Sequence, residues 1–126
     1  MLGDLIAGIL NLIKKGDFKQ ASGKLENLYN KMLREDSAFF RDIPCHDLTD
    51  MLLHEHNYTN GHLEVLAELF NAEAELCMAQ GYNTQCIAYS QKSLRLFEFI
   101  DAEYKIYSQE RLDKMDAIRQ RIRNLK

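Results

Sequence analysis

Proline and glycine are scarce in this chain. Pro44 is the single proline, and six glycines are spread over 126 residues. Sandwiches and barrels need many turns, so the scarcity argues against them and leaves long segments suited to helices. The cysteines, Cys45, Cys77 and Cys86, are odd in number and fit no metal-binding spacing. The expectation is buried, reduced thiols in a cytoplasmic protein. No Gly-rich phosphate loop, Ser–His–Asp pattern or Cys–His pairing is present, which leaves the chain without a recognisable catalytic constellation. Long apolar runs are also missing. Residues 1–15, MLGDLIAGILNLIKK, are too short and too interrupted to span a bilayer. They lack the basic start and cleavage site of a signal peptide.

What is present is an ordinary globular balance, with 46% hydrophobic and 28% charged residues. The length suits one domain, 1–126, able to bury a core without staples. Apolar pairs recur through residues 1–13 at helical spacing. Lys14 and Lys15 offset the dipole of that helix and Gly16 ends it. Asp17 caps the next helix, whose strip is Phe18, Ala21, Leu25, Leu28 and Met32, running to about Arg34. Residues 36–44 read as a connection plugged by Phe39 and Phe40, with Pro44 at the entry to a short helix carrying Leu48, Met51 and Leu52. "NYTNG" (57–61) is a turn by composition. Long helices follow over 60–80 and 83–100, then a loop near 102–107. A last helix from about Ser108 carries Leu112, Met115, Ile118, Ile122 and Leu125, a strip fit to pack on its neighbour or on a second chain.

The two hinges, "KKGDFKQA" and "AQGYNTQC", share a pattern. Each has an apolar helix, a glycine (Gly16, Gly81) and, five positions on, a small residue (Ala21, Cys86) that lets two helices approach. The run 67–98 resembles a tetratricopeptide unit. Phe70 stands at its large aromatic position, Ala74 at its small contact position, Gly81 at its turn, Cys86 at the small position of the second helix, and Leu94 and Leu96 near its end. Residues 2–33 resemble a degraded copy through Leu5, Leu12, Gly16, Phe18, Ala21 and Leu25. Ser93 departs from the family's alanine and Glu73 from its large aliphatic residue. The turn glycines are 65 apart, close to twice the unit length of about 34 residues, and the middle, 36–61, is eroded or replaced. The resemblance implies an all-α, tetratricopeptide-like array of antiparallel hairpins, about six helices, with a capping helix over about 108–125. It also implies a non-catalytic scaffold that binds a partner protein or peptide.

Charge is distributed in blocks. Residues 42–91 hold eight carboxylates and no lysine or arginine, between a first segment of net +2 and a last of net +3. Such a field steers partners. At 100° per residue, Glu64, Glu68 and Glu75 fall within about 40° of one another, with Asn71 beside them. In such an array the first helix of each pair lines the concave surface. These four residues are therefore the candidate partner-binding site, an acidic groove for a basic peptide. The competing reading is a solvated helix face.

Glu73 falls on the opposite side, among Leu66, Leu69, Phe70, Leu76 and Cys77. A carboxylate there must be paired or have a raised pKa. Candidate partners are His54, His56, a tyrosine such as Tyr104, or an arginine. Glu73 reads as a buried polar clamp. The alternative is a small helical enzyme or ligand-binding domain, with Glu73 and histidines around a pocket. His46, Asp50 and His54 are spaced to share one side of a helix, but "HEH" is not the HExxH pattern, and no metal or cofactor is expected. Acidic residues interleave the basic last helix (Glu110, Asp113, Asp116), so nucleic acid is not expected as a partner, nor is a membrane. The apolar faces of the first and last helices offer a homodimer.

Overall fold

The computed structural model describes residues 2–55, 57–105 and 107–126. Seven α-helices occur among them, with no strand. Helix α1 (Leu2–Lys14) turns into α2 (Phe18–Leu28), which a wider π turn (Tyr29–Leu33) prolongs. Helix α3 (Ser37–Arg41) is short. Helix α4 (Leu48–Asp50) lies between a 3-10 turn (Cys45–Asp47) and a second π turn (Met51–Glu55). Helices α5 (Asn60–Ala79), α6 (Asn83–Tyr104) and α7 (Gln109–Leu125) complete the chain. None of the described helices is long and apolar enough to cross a membrane.

The two hinges are the same device. Gly16 and Gly81 take φ of +82° and +83°. Gly16 N–H donates to Ile13 O and Asp17 N–H to Leu12 O, both at 3.0 Å; Gly81 and Tyr82 do the same to Met78 O and Cys77 O at 3.1 and 2.8 Å. This pair of bonds satisfies carbonyls that a helix end leaves open, and it needs a left-handed residue, which glycine supplies without a Cβ clash. The next residues, Asp17 and Tyr82, leave the turn with φ/ψ of −87°/70° and −90°/73°. Ala21 and Cys86, the small residues after each turn, are both fully buried.

Three boundaries differ from expectation. The 36–44 connection contains α3, because Asp36 Oδ1 accepts from Phe39 N–H at 3.1 Å and so nucleates a turn. That makes seven helices rather than six. Phe40 is the fully buried plug, and Phe39 packs beside it edge to face. Helix α6 runs a turn beyond Ile100, until Lys105 takes φ +50°. Finally, 45–55 is not one uniform helix. Its 3-10 and π turns break the 100° count, and His46, Asp50 and His54 are all exposed. His56 lies outside the described residues.

Helix α5 is the centre of the molecule. It pairs closely with α6, receives both α1 and α2 on one flank, and α7 packs on α6. Ile6, Ile9 and Ile13 are buried, so the wide apolar face of α1 is largely spent inside, with Leu5 left exposed. Met115 and Ile118 of α7 are buried, and Leu112, Ile122 and Leu125 are partly so. That strip packs on its neighbour in the same chain. Ser93 donates its buried Oγ to Ala67 O at 2.7 Å and so ties α6 to α5. Cys77 and Cys86 are buried and Cys45 is half-buried, all as free thiols.

Candidate functional site

The acidic side of α5 has a near neighbour. Lys114 Nζ lies 2.7 Å from Glu68 Oε1 and 3.3 Å from Glu110 Oε1. Arg121 donates to Glu75 Oε1 and Asn71 Oδ1, each at 2.6 Å, and to Ser90 Oγ at 3.0 Å. Three of the four residues expected to face a partner, Glu68, Asn71 and Glu75, are therefore held by α7, and Glu68 is buried. Glu64 is exposed. It opens onto a notch of about 300 Å³ between the starts of α1, α5 and α7, with Leu2 and Val65 beneath and Glu68, Glu110 and Lys114 around it. Burial pulls the Lys114 ammonium down, but its bonds to Glu68 and Glu110 outweigh that and leave its pKa raised.

Glu73 stands on the other side, in an open cleft of about 480 Å³ bounded by α2, α3, α5 and α6. Burial lifts its pKa from the ordinary 4.5 to about 7. The Arg41 charge and the Tyr29 phenol oppose that rise, and Glu26 adds to it. Tyr29 is fully enclosed. Its Oη makes no well-aligned hydrogen bond, although the phenol lies against Glu73 and still helps its ionised form. Arg41 is fixed by two bonds, Nε to Tyr89 Oη at 2.9 Å and Nη2 to Ser37 Oγ at 3.2 Å. Lys92 Nζ donates to Arg41 O at 2.6 Å and sits 5.8 Å from the centre of the Phe70 ring. Burial lowers the Lys92 pKa and raises those of Tyr89 and Cys77, the thiol to about 11.

Glu73 thus meets tyrosines and an arginine, two of the partner types open to it, and no described histidine lines its cleft as the alternative Glu/His pocket would require. His62 faces Thr59, accepting from its N–H at 3.0 Å to complete a cap, and His46 faces Asp47. No group of three or more His, Cys, Asp or Glu side chains among the described residues is placed to hold a metal. Of the residues around Glu73 that sequence reasoning passed over, Tyr29 was findable. It is four positions beyond Leu25 and eight beyond Ala21, on the buried strip of α2. Nothing local to Arg41 points across the fold to Glu73.

The fold defines an all-α protein built on two tightly turned antiparallel hairpins and a final packed helix. No protein-family model, curated protein or solved structure matches the chain.

Proposed function

We propose that this is a non-catalytic interaction module, a tetratricopeptide-like stack whose acidic notch at Glu64 receives a basic segment of a partner protein. On this reading α1–α2 and α5–α6 are the two repeat units, stacked directly on each other. Residues 36–59 are an insert rather than an eroded unit, and α7 is the cap. The identical turns at Gly16 and Gly81, and the packing of both α1 and α2 on α5, support it. In such a stack α1, α5 and α7 are the helices that line the concave side.

The observation that carries the proposal is the charge of the notch. Among the described residues, Glu64, Glu68 and Glu110 stand around the one ammonium of Lys114, with Leu2 and Val65 lining the same notch. The unmatched negative charge suits a lysine or arginine side chain beside an apolar residue. Of the four residues first assigned to the groove, Glu64 and Glu68 line the notch, while Asn71 and Glu75 anchor α7.

Fluorescence anisotropy with a labelled Lys/Leu peptide and its Glu/Leu counterpart tests this. The basic peptide binds and the acidic one does not; rising salt weakens the complex. Glu64→Lys with Glu110→Lys abolishes it, while both exposed substitutions leave the fold intact. Equal binding of the two peptides, or binding that survives the double charge reversal, overturns the proposal.

A further inference from the structure

We propose that the cleft on the opposite side of α5 binds a small organic carboxylate, with Arg41 and Lys92 gripping its anionic end beside Glu73. This does not rest on the notch. The cleft has the volume of a metabolite site, about 480 Å³. Four separate elements line it with polar groups: Ser22 from α2, Arg41 from α3, Glu73 from α5 with Gln80 just past its end, and Gln85, Tyr89 and Lys92 from α6.

The two cations decide the ligand's sign. Neither Arg41 nor Lys92 has a carboxylate within 4.0 Å among the described residues. Both are nonetheless held in place, Arg41 by Tyr89 and Ser37, and Lys92 by the Arg41 carbonyl. Arg41 Nη1 takes part in neither of the Arg41 bonds, so one edge of a preorganised guanidinium remains for an acceptor. Fixing the cations in advance removes the ordering cost that weakens binding at flexible surface charges.

Glu73 decides the ligand's valence. A sulfate dianion would set two negative charges against it and has no proton to share. A monoanionic carboxylate can share a proton with it, as paired carboxyl groups do. Leu76, Cys77 and Ala88 offer the ligand's body an apolar wall.

Binding then takes up a proton at Glu73. The groups that face it are Glu26 and Tyr29 from α2, Arg41 from α3, Tyr89 and Lys92 from α6, and Cys77 on its own helix. Burial raises the pKa of Tyr29, Tyr89 and Cys77, so these stay protonated at neutral pH. Glu73, near 7, is the group that responds between pH 6 and pH 8.

The test is NMR titration of the native protein with 3-phenylpropionate, 3-phenylpropionamide and sulfate. The acid shifts backbone signals of Ser22, Cys77 and Ala88, and the amide and sulfate bind at least several-fold more weakly. Affinity for the acid falls roughly threefold to tenfold from pH 6 to pH 8. Arg41→Gln and Lys92→Gln each lose it, and Glu73→Gln keeps binding but loses the pH dependence. The inference is overturned by an amide or sulfate that binds as tightly, by shifts absent at millimolar acid, or by pH dependence that survives in Glu73→Gln.

Discussion

Arg121 Nη1 lies 2.6 Å from Glu75 Oε1, and the same guanidinium reaches Asn71 and Ser90. One α7 side chain therefore joins both helices of the central hairpin. It is only 9% exposed and its partner Glu75 36%, so solvent screening weakens the pair less than it does a bridge with both ends at the surface. Removing it takes the nearest donor from the wholly buried Ser90 hydroxyl, which keeps only the Cys86 thiol at 4.0 Å, and the ion-pair partner from Glu75. Arg121→Ala is expected to cost about 2–4 kcal/mol by urea unfolding. Arg121→Lys recovers less than half, because an ammonium cannot span three acceptors as the planar fork does. Arg119, paired with Glu98 in a half-exposed bridge, is the control, and Arg119→Ala should cost no more than about 0.5 kcal/mol. Equal losses at the two positions would contradict the clamp.

The hinge glycines give a prediction of opposite signs. No atom lies within 4 Å of a Cβ added at Gly16, Gly81 or Gly23. Gly16 and Gly81 have positive φ, so alanine there pays a backbone cost alone, about 1–2 kcal/mol each. Gly23 sits inside α2 with an ordinary helical backbone, so Gly23→Ala is expected to stabilise by about 0.5–1 kcal/mol. Asparagine at either hinge should be milder than alanine. Thermal unfolding of the three alanine variants checks the signs, and a stabilising Gly81→Ala would show that the turn is not held as described.

The hinges were legible in the sequence because everything they need is local. A glycine, the apolar helix before it and the small residue after it lie within one short window. Helical phase likewise separated Glu73 from the row of Glu64, Glu68, Asn71 and Glu75 on α5. It could not say what lies opposite each. Lys114 is 46 residues from Glu68, and Arg121 is 50 from Asn71. The meeting depends on how α7 docks against α6, which no local pattern encodes. Arg41 reaches the Glu73 cleft only because Asp36 nucleates α3. The spacing of His46, Asp50 and His54 carried little for a related reason. The turns around α4 depart from α-helical pitch, so counting at 100° per residue loses its phase there.

Glu73 makes stability depend on pH in an unusual direction for a carboxylate. Its folded pKa, about 7, stands above the ordinary 4.5 chiefly because its half-buried place in the cleft strips water from the charged form. Below 4.5 both folded and unfolded chains hold the proton and the contribution is complete. Between 4.5 and 7 the unfolded chain releases the proton while the folded chain keeps it, so stability falls as pH rises. Above 7 both are ionised and the loss levels off, on the order of 3 kcal/mol. Glutamine has the same shape and nothing to ionise. Glu73→Gln is therefore expected to match the native protein near pH 4.5 and to exceed its stability at pH 8 by roughly 1–3 kcal/mol. Urea unfolding of both proteins at the two pH values measures the difference, and other titrating groups cancel because both chains share them. An advantage equal at both pH values would mean that the Glu73 carboxyl is not the group being desolvated, and that packing alone separates the variant from the native chain.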